Sequence, residues 1–137
     1  MQTVEELLLD EETLIGRYNM EIARWSDHKW SPTMPALYVI LTDHRLILQA
    51  QSRKRREPAF IPCHAIKKVT SVEDDYHRLI ALIQLKTGHH INLFVGRGGA
   101  PFIRALRRTG LPQSPVKFKN DLNLGYLQKI IQHVERL

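Results

Sequence analysis

Cysteine is almost missing from this 137-residue chain. Cys63 stands alone, so no internal disulfide can staple the fold, and a reducing cytoplasm is the expected compartment. Long apolar runs are missing too: Leu37–Leu41 and Leu79–Ile83 fall far short of the roughly 20 residues a bilayer-crossing helix needs. The opening MQTVEELLLDEET carries acids where a secretory signal or transit peptide would carry basic residues, and it reads as neither. There is no internal repeat, no low-complexity tract and no Cys/His set with zinc spacing. What remains, 43% hydrophobic, reads as a single domain over residues 1–137, long enough to hide roughly two-thirds of its chain surface.

Basic charge is absent from one stretch only. The first twelve residues hold Glu5, Glu6, Asp10, Glu11 and Glu12 and no Lys or Arg, whereas residues 13–137 hold all 20 basic side chains against 9 acids. A basic body of this kind suits polyanions such as lipid headgroups or nucleic acid, and it equally serves solubility alone.

The apolar pattern is dominated by strands. Thr3 with Glu6 makes a capping box for a short N-terminal helix carrying Leu7, Leu8 and Leu9. Alternation then predicts strands over Glu12–Arg24, Ala36–Thr42, Arg45–Gln51, Ala59–Ile61, Ile66–Glu73, Leu79–Lys86 and His90–Val95. Two prolines and several short polar residues make 26–35 a loop, Asp43–His44 the turn of a hairpin, and Pro62 a corner. Pro101 opens a helix whose Phe102, Ile103 and Leu106 share a face and which Gly110 ends. A last helix is expected within 120–137, with Leu127, Ile130, Ile131 and Val134 at i, i+3, i+4 and i+7 and Gly125 weakening its first turn. Seven consecutive strands with no helix between them predict an α+β, mainly β domain built as an antiparallel sandwich or barrel.

This order resembles the pleckstrin-homology-like superfold, in its GRAM and bacterial PH branch. The stretch LYVILTDHRLIL (37–48) is similar to that branch's hairpin, an apolar strand with threonine at the turn and then Arg-Leu. IPCHAI (61–66) is similar to the Ile-Pro…Ile element that follows it. The resemblance covers about residues 11–109 and implies a seven-stranded antiparallel barrel or sandwich capped by a helix. Three places depart from it: Pro35–Ala36 stands where a glycine is common, Leu48 stands where an aromatic often sits, and an aliphatic residue such as Leu106 takes the place of the terminal-helix tryptophan of PH domains proper. Members of the superfold bind phosphoinositides, peptides or proteins, so the fold by itself does not select a function.

The candidate site residues are polar and aromatic. Arg53, Lys54, Arg55 and Arg56 set four cations side by side after the hairpin, a pattern that fits phosphate oxygens or, equally, a solvated strand end kept from pairing with other chains. Lys29 and Trp30, with Trp25, flank the expected first loop, which in lipid-binding PH domains usually carries the phosphate-holding basic residues. Here that loop offers only His28 and Lys29. Exposed indoles suit a bilayer interface, and buried ones suit a core. Gly96–Arg97–Gly98–Gly99 lacks the Lys-Ser/Thr ending of a phosphate loop and reads as a strand-to-helix turn. Cys63–His64 lacks a third orienting group, and Asp74–Asp75 reads as turn chemistry. The expectation is a binding module and not an enzyme, with no cofactor and no metal. Its expected partner is another protein or a second copy of the chain. Peripheral contact with an anionic membrane is the alternative, and nucleic acid ranks last.

Overall fold

A computed structural model describes residues 8, 12–52, 57–96, 99–109, 122–129 and 132–133. The expected N-terminal helix around residues 3–9 and the basic run Arg53–Arg56 lie outside these described residues. The strands are β1 (Leu14–Ser26), β2 (Lys29–Thr42), β3 (Arg45–Ala50), β4 (Ala59–Pro62), β5 (Ile66–Glu73), β6 (Leu79–Leu85) and β7 (His89–Phe94). A helix, α1 (Gly99–Thr109), follows β7, and a two-residue strand, β8 (Gln132–His133), comes last.

All of the strands join one antiparallel sheet in the order β4-β3-β2-β1-β7-β6-β5, with β8 added to β7. The expected mainly β, α+β class is present. The sheet is an open path of eight strands, however, rather than a closed seven-stranded barrel: among the described residues no ladder joins β4 to β5. Pro62, which has no N–H to give, and a 3-10 turn at Cys63–Ala65 separate the two. Among the described residues no helix is long and apolar enough to cross a membrane.

Alternation along the strands builds the core. Leu37, Val39 and Leu41 of β2, Leu46 and Leu48 of β3, and Ala81, Ile83 and Leu85 of β6 all point into one cluster, as period two requires. The helix closes that cluster with Phe102, Ile103 and Leu106, and Phe102 meets the Tyr18 ring edge-on at 4.9 Å. Arg104, Arg107 and Arg108 form its wet side, and the Arg107 guanidinium donates to the Val69 carbonyl at 3.2 Å. Two smaller apolar groups sit outside this core. One of them, on β1, β6 and β7, unites Ala23, Ile80 and Phe94 with the half-buried Trp30, Val72 and Leu82.

Two expectations fail here. The segment 26–35 is not a loop. β1 and β2 run on to a two-residue turn at Asp27–His28, whose φ angles of 52° and 61° are the left-handed pair of a tight hairpin turn. Pro32 is tolerated in β2 because the β2–β3 ladder spans only Leu37–Leu41 and leaves the strand's outer end without a neighbour on that side. A register shift between Glu21 and Ile22 places Met34 and Pro35 in a bulge.

The second failure is the C-terminal α-helix. Within the described part the chain makes a 3-10 helix at Gly125–Lys129 and then β8 on β7. Asn123 pairs with Phe60 of β4 in both directions (2.6 and 2.9 Å). Gly125 follows at φ +55°, where a Cβ would lie 2.8 Å from the Glu57 carbonyl oxygen. Backbone committed to β4, together with a left-handed glycine, prevents a regular helix from starting. Leu124 and Leu127 still reach the core, so this segment packs on its own chain.

Candidate functional site

Three antiparallel turns set the polar geometry of the molecule. At the β2–β3 turn, the Thr42 hydroxyl accepts from the backbone N–H groups of His44 and Arg45 and donates to Glu12 Oε2 at 2.7 Å. Arg45 grips the same carboxylate with two bonds, Nε to Oε2 at 2.8 Å and Nη2 to Oε1 at 3.0 Å, and its guanidinium lies 4.6 Å over the Phe60 ring. Glu12 and Arg45 are both buried. The backbones of Thr13 and Asp43 add a bond of 3.0 Å, and the Thr13 N–H donates to Asp43 Oδ1 at 2.8 Å. This knot ties the segment entering β1 to the hairpin.

The β5–β6 turn repeats the chemistry in the open. Asp74 Oδ1 accepts from the N–H groups of Tyr76 (3.0 Å) and Arg78 (2.8 Å), and Oδ2 accepts from Arg78 Nε at 2.6 Å. Partial desolvation pushes the Asp74 pKa up. The bonds from the Arg78 and Tyr76 backbones and the Arg78 guanidinium outweigh that push, so the carboxyl titrates below its ordinary value. Arg78 in turn lies 4.5 Å over the Phe94 ring and 5.4 Å over Tyr76.

The third turn is the β1–β2 tip. Trp25 and Trp30 are direct cross-strand partners, and their rings meet edge to face with centroids 5.2 Å apart and planes at 62°. Trp30 is half-buried over Ala23, Ile80 and Phe94, while Trp25 stands 49% exposed and Lys29 is exposed. In the sheet β7 and β6 stand between β1 and β5, yet the tip and the end of β5 line the same cleft. Between them lies a cleft of about 530 Å³ lined by Trp25, His28, Lys29, Trp30 and the run Val72–Tyr76. A second cleft, of about 660 Å³, lies on the other side of Arg78 and is lined by Asn19, Gln51, Phe94 and neighbours.

Lys29 and Trp30 line one cleft. Glu73, Asp74, Asp75 and the exposed Tyr76 share it, so its described lining is aromatic and acidic. Arg53, Lys54, Arg55 and Arg56 lie outside the described residues. The Cys63 thiol is buried beside the exposed His64. Among the described residues no group of three or more His, Cys, Asp or Glu is placed to hold a metal ion. Sequence reasoning missed Glu73 and Tyr76 as companions of Trp25. The usable signal was the acidic and aromatic run EDDY (73–76) in a turn, which becomes informative only once β5 is known to end near the β1–β2 tip.

No protein-family model matches the chain, and no curated protein is significantly similar to it in sequence.

Proposed function

We propose that the chain is a non-enzymatic, cytoplasmic binding module of the pleckstrin-homology-like kind. It engages another protein through the cleft between the β1–β2 tip and the β5–β6 turn. The strand path β4-β3-β2-β1-β7-β6-β5, followed by a helix buried through Phe102, Ile103 and Leu106, supports that reading of the fold. One observation carries the function: an edge-to-face indole pair and the exposed Tyr76 ring open onto one cleft of about 530 Å³. Stiff aromatic side chains lose little freedom on binding and combine apolar faces with a donor, which is why they dominate protein contacts. A foreign partner is favoured over a second copy because the described part of the C-terminal segment buries Leu124 and Leu127 in its own chain.

Selection from a displayed random-peptide library tests the reading. Convergent sequences that bind the full chain and lose binding to Trp25→Ala support it. Selected peptides that ignore Trp25→Ala, or no convergence, would remove it. The alternative, contact with anionic lipid headgroups, draws on Lys29, Trp30 and the run Arg53–Arg56. Carboxylates in the same cleft oppose it. Low-salt pelleting with anionic vesicles, abolished by reversing the four charges at 53–56, would move the function to the membrane.

A further inference from the structure

We propose that the cleft between the β1–β2 tip and the β5–β6 turn receives an alkylammonium group, presented by a lysine or N-methylated lysine side chain of the partner. This rests on the protein-binding reading above and names the chemistry that the partner brings.

Three features of the cleft select a cation. The first is its walls. Two indoles at 62° leave a re-entrant corner in which an incoming group meets ring faces, and Tyr76, 79% exposed, adds a third ring. Aromatic faces carry negative quadrupole density and attract cations, most strongly those that shed water easily, such as methylated ammonium groups. The second is charge. Asp74 is held by Arg78, but Glu73 and Asp75 remain in the lining, where Lys29 is the one permanent cation among the described residues. His28 also lines the cleft, and His77 lies 3.7 Å from Glu73; each adds charge only when protonated. The cleft is thus locally acidic in a chain whose formal charge is +6. An anionic occupant would enter against carboxylates, and a neutral one would leave their excess over Lys29 unmatched.

The third feature is a precedent inside the molecule. Next to the cleft's own Tyr76 and Asp74, the Arg78 guanidinium already lies over the Tyr76 and Phe94 rings while Asp74 holds it at 2.6 Å. The fold here satisfies one cation with a ring face and a carboxylate, and the cleft beside it offers the same two ingredients, with two carboxylates, Glu73 and Asp75, against Lys29. Val72 and the half-buried Trp30 supply the apolar surface that methyl groups would cover.

The test uses the full chain and three short Gly/Ser peptides that differ at one central residue: trimethyllysine, lysine or the neutral norleucine. The indole N–H resonances of Trp25 and Trp30 report binding. The expected order is trimethyllysine, then lysine, with norleucine weaker than trimethyllysine by about tenfold. Trp25→Ala should weaken the trimethyllysine peptide by about tenfold. The double variant Glu73→Gln, Asp75→Asn replaces two exposed carboxylates, leaves the fold intact by its unchanged Trp30 resonance, and should also weaken the cationic peptides severalfold. Equal binding of norleucine and trimethyllysine would show a merely apolar groove and overturn the proposal, as would no indole response to any of the three. Phosphatidylcholine vesicles form a separate arm. Capture by vesicles with no response to the peptides would assign the ammonium group to lipid and overturn the polypeptide source. Convergent neutral or acidic peptides from the library selection, with no indole response to the lysine peptides, would leave the protein-binding reading standing and end this one.

Discussion

Arg45 and Arg78 do the same chemistry in opposite surroundings. Each grips a carboxylate across a tight turn, Glu12 at 2.8 Å and Asp74 at 2.6 Å, and each guanidinium lies over a phenylalanine, Phe60 at 4.6 Å and Phe94 at 4.5 Å. The difference is solvent. The Arg45 and Glu12 side chains are 9% and 0% exposed; Asp74 is nearly as covered, at 6%, but its partner Arg78 is 43% exposed, so water reaches that pair from the arginine side. Removing water strengthens a pair's attraction and raises the cost of losing one member, while water screens the open pair until it contributes little. The buried pair therefore belongs to the fold. The open pair belongs to the surface of the β5–β6 turn.

The largest break in this comparison comes from Arg45→Ala. It strands the Glu12 carboxylate inside the protein and should cost about 3–5 kcal/mol in urea denaturation. Replacing both partners by Glu12→Leu with Arg45→Leu should recover most of that loss, because the penalty lies in the unpaired charge and not in the missing attraction. A double variant as unstable as the single one would mean that the pair's hydrogen bonds to the turn matter more than its desolvation.

Much of the buried end was legible in the sequence, and little of the open end was. Alternating Leu37, Val39 and Leu41, the turn at Asp43–His44 and the apolar face of Phe102, Ile103 and Leu106 are local patterns, and the structure has them in place. Glu12 and Arg45 are separated by 33 positions, so nothing local announces their pair. At the open end, Pro32 and Pro35 read as breakers because the free outer end of β2 is a property of the sheet and not of the segment. Asp27–His28 lacks the glycine that usually marks a two-residue turn, although both residues adopt positive φ. The cleft itself needs the β1–β2 tip and the β5–β6 turn to meet although β7 separates the two hairpins in the sheet, and no local pattern announces that.

The indole pair sharpens the same contrast within one hairpin. Trp30 covers Ala23, Ile80 and Phe94, so Trp30→Ala should cost about 2 kcal/mol of stability, less than a fully buried tryptophan would. Trp25 is 49% exposed, and Trp25→Ala should change stability by no more than about 0.5 kcal/mol while weakening cleft binding about tenfold. Paired urea curves check both. Equal losses would mean that Trp25 is also structural and that its effect on binding reports a damaged tip.

The smallest expected effect is the most diagnostic of the open turn. The Asp74 pKa is lower in the folded chain than in the unfolded one, so its charged form favours folding. That contribution is fully present above the unfolded carboxylate range and is lost as pH falls through the depressed folded value, a window below about pH 4. The amide resonances of Tyr76 and Arg78, both bonded to Asp74 Oδ1, should shift together in that window, with a midpoint below that of an ordinary aspartate. Arg78→Ala removes the Oδ2 bond and should raise this midpoint while shifting the urea curve far less than Arg45→Ala does. The two backbone bonds remain in that variant, so the midpoint should stay below the ordinary value. A midpoint that does not move would place the whole effect in the backbone of the turn, leaving Arg78 held by ring faces alone and making it the first group that an incoming cation could displace.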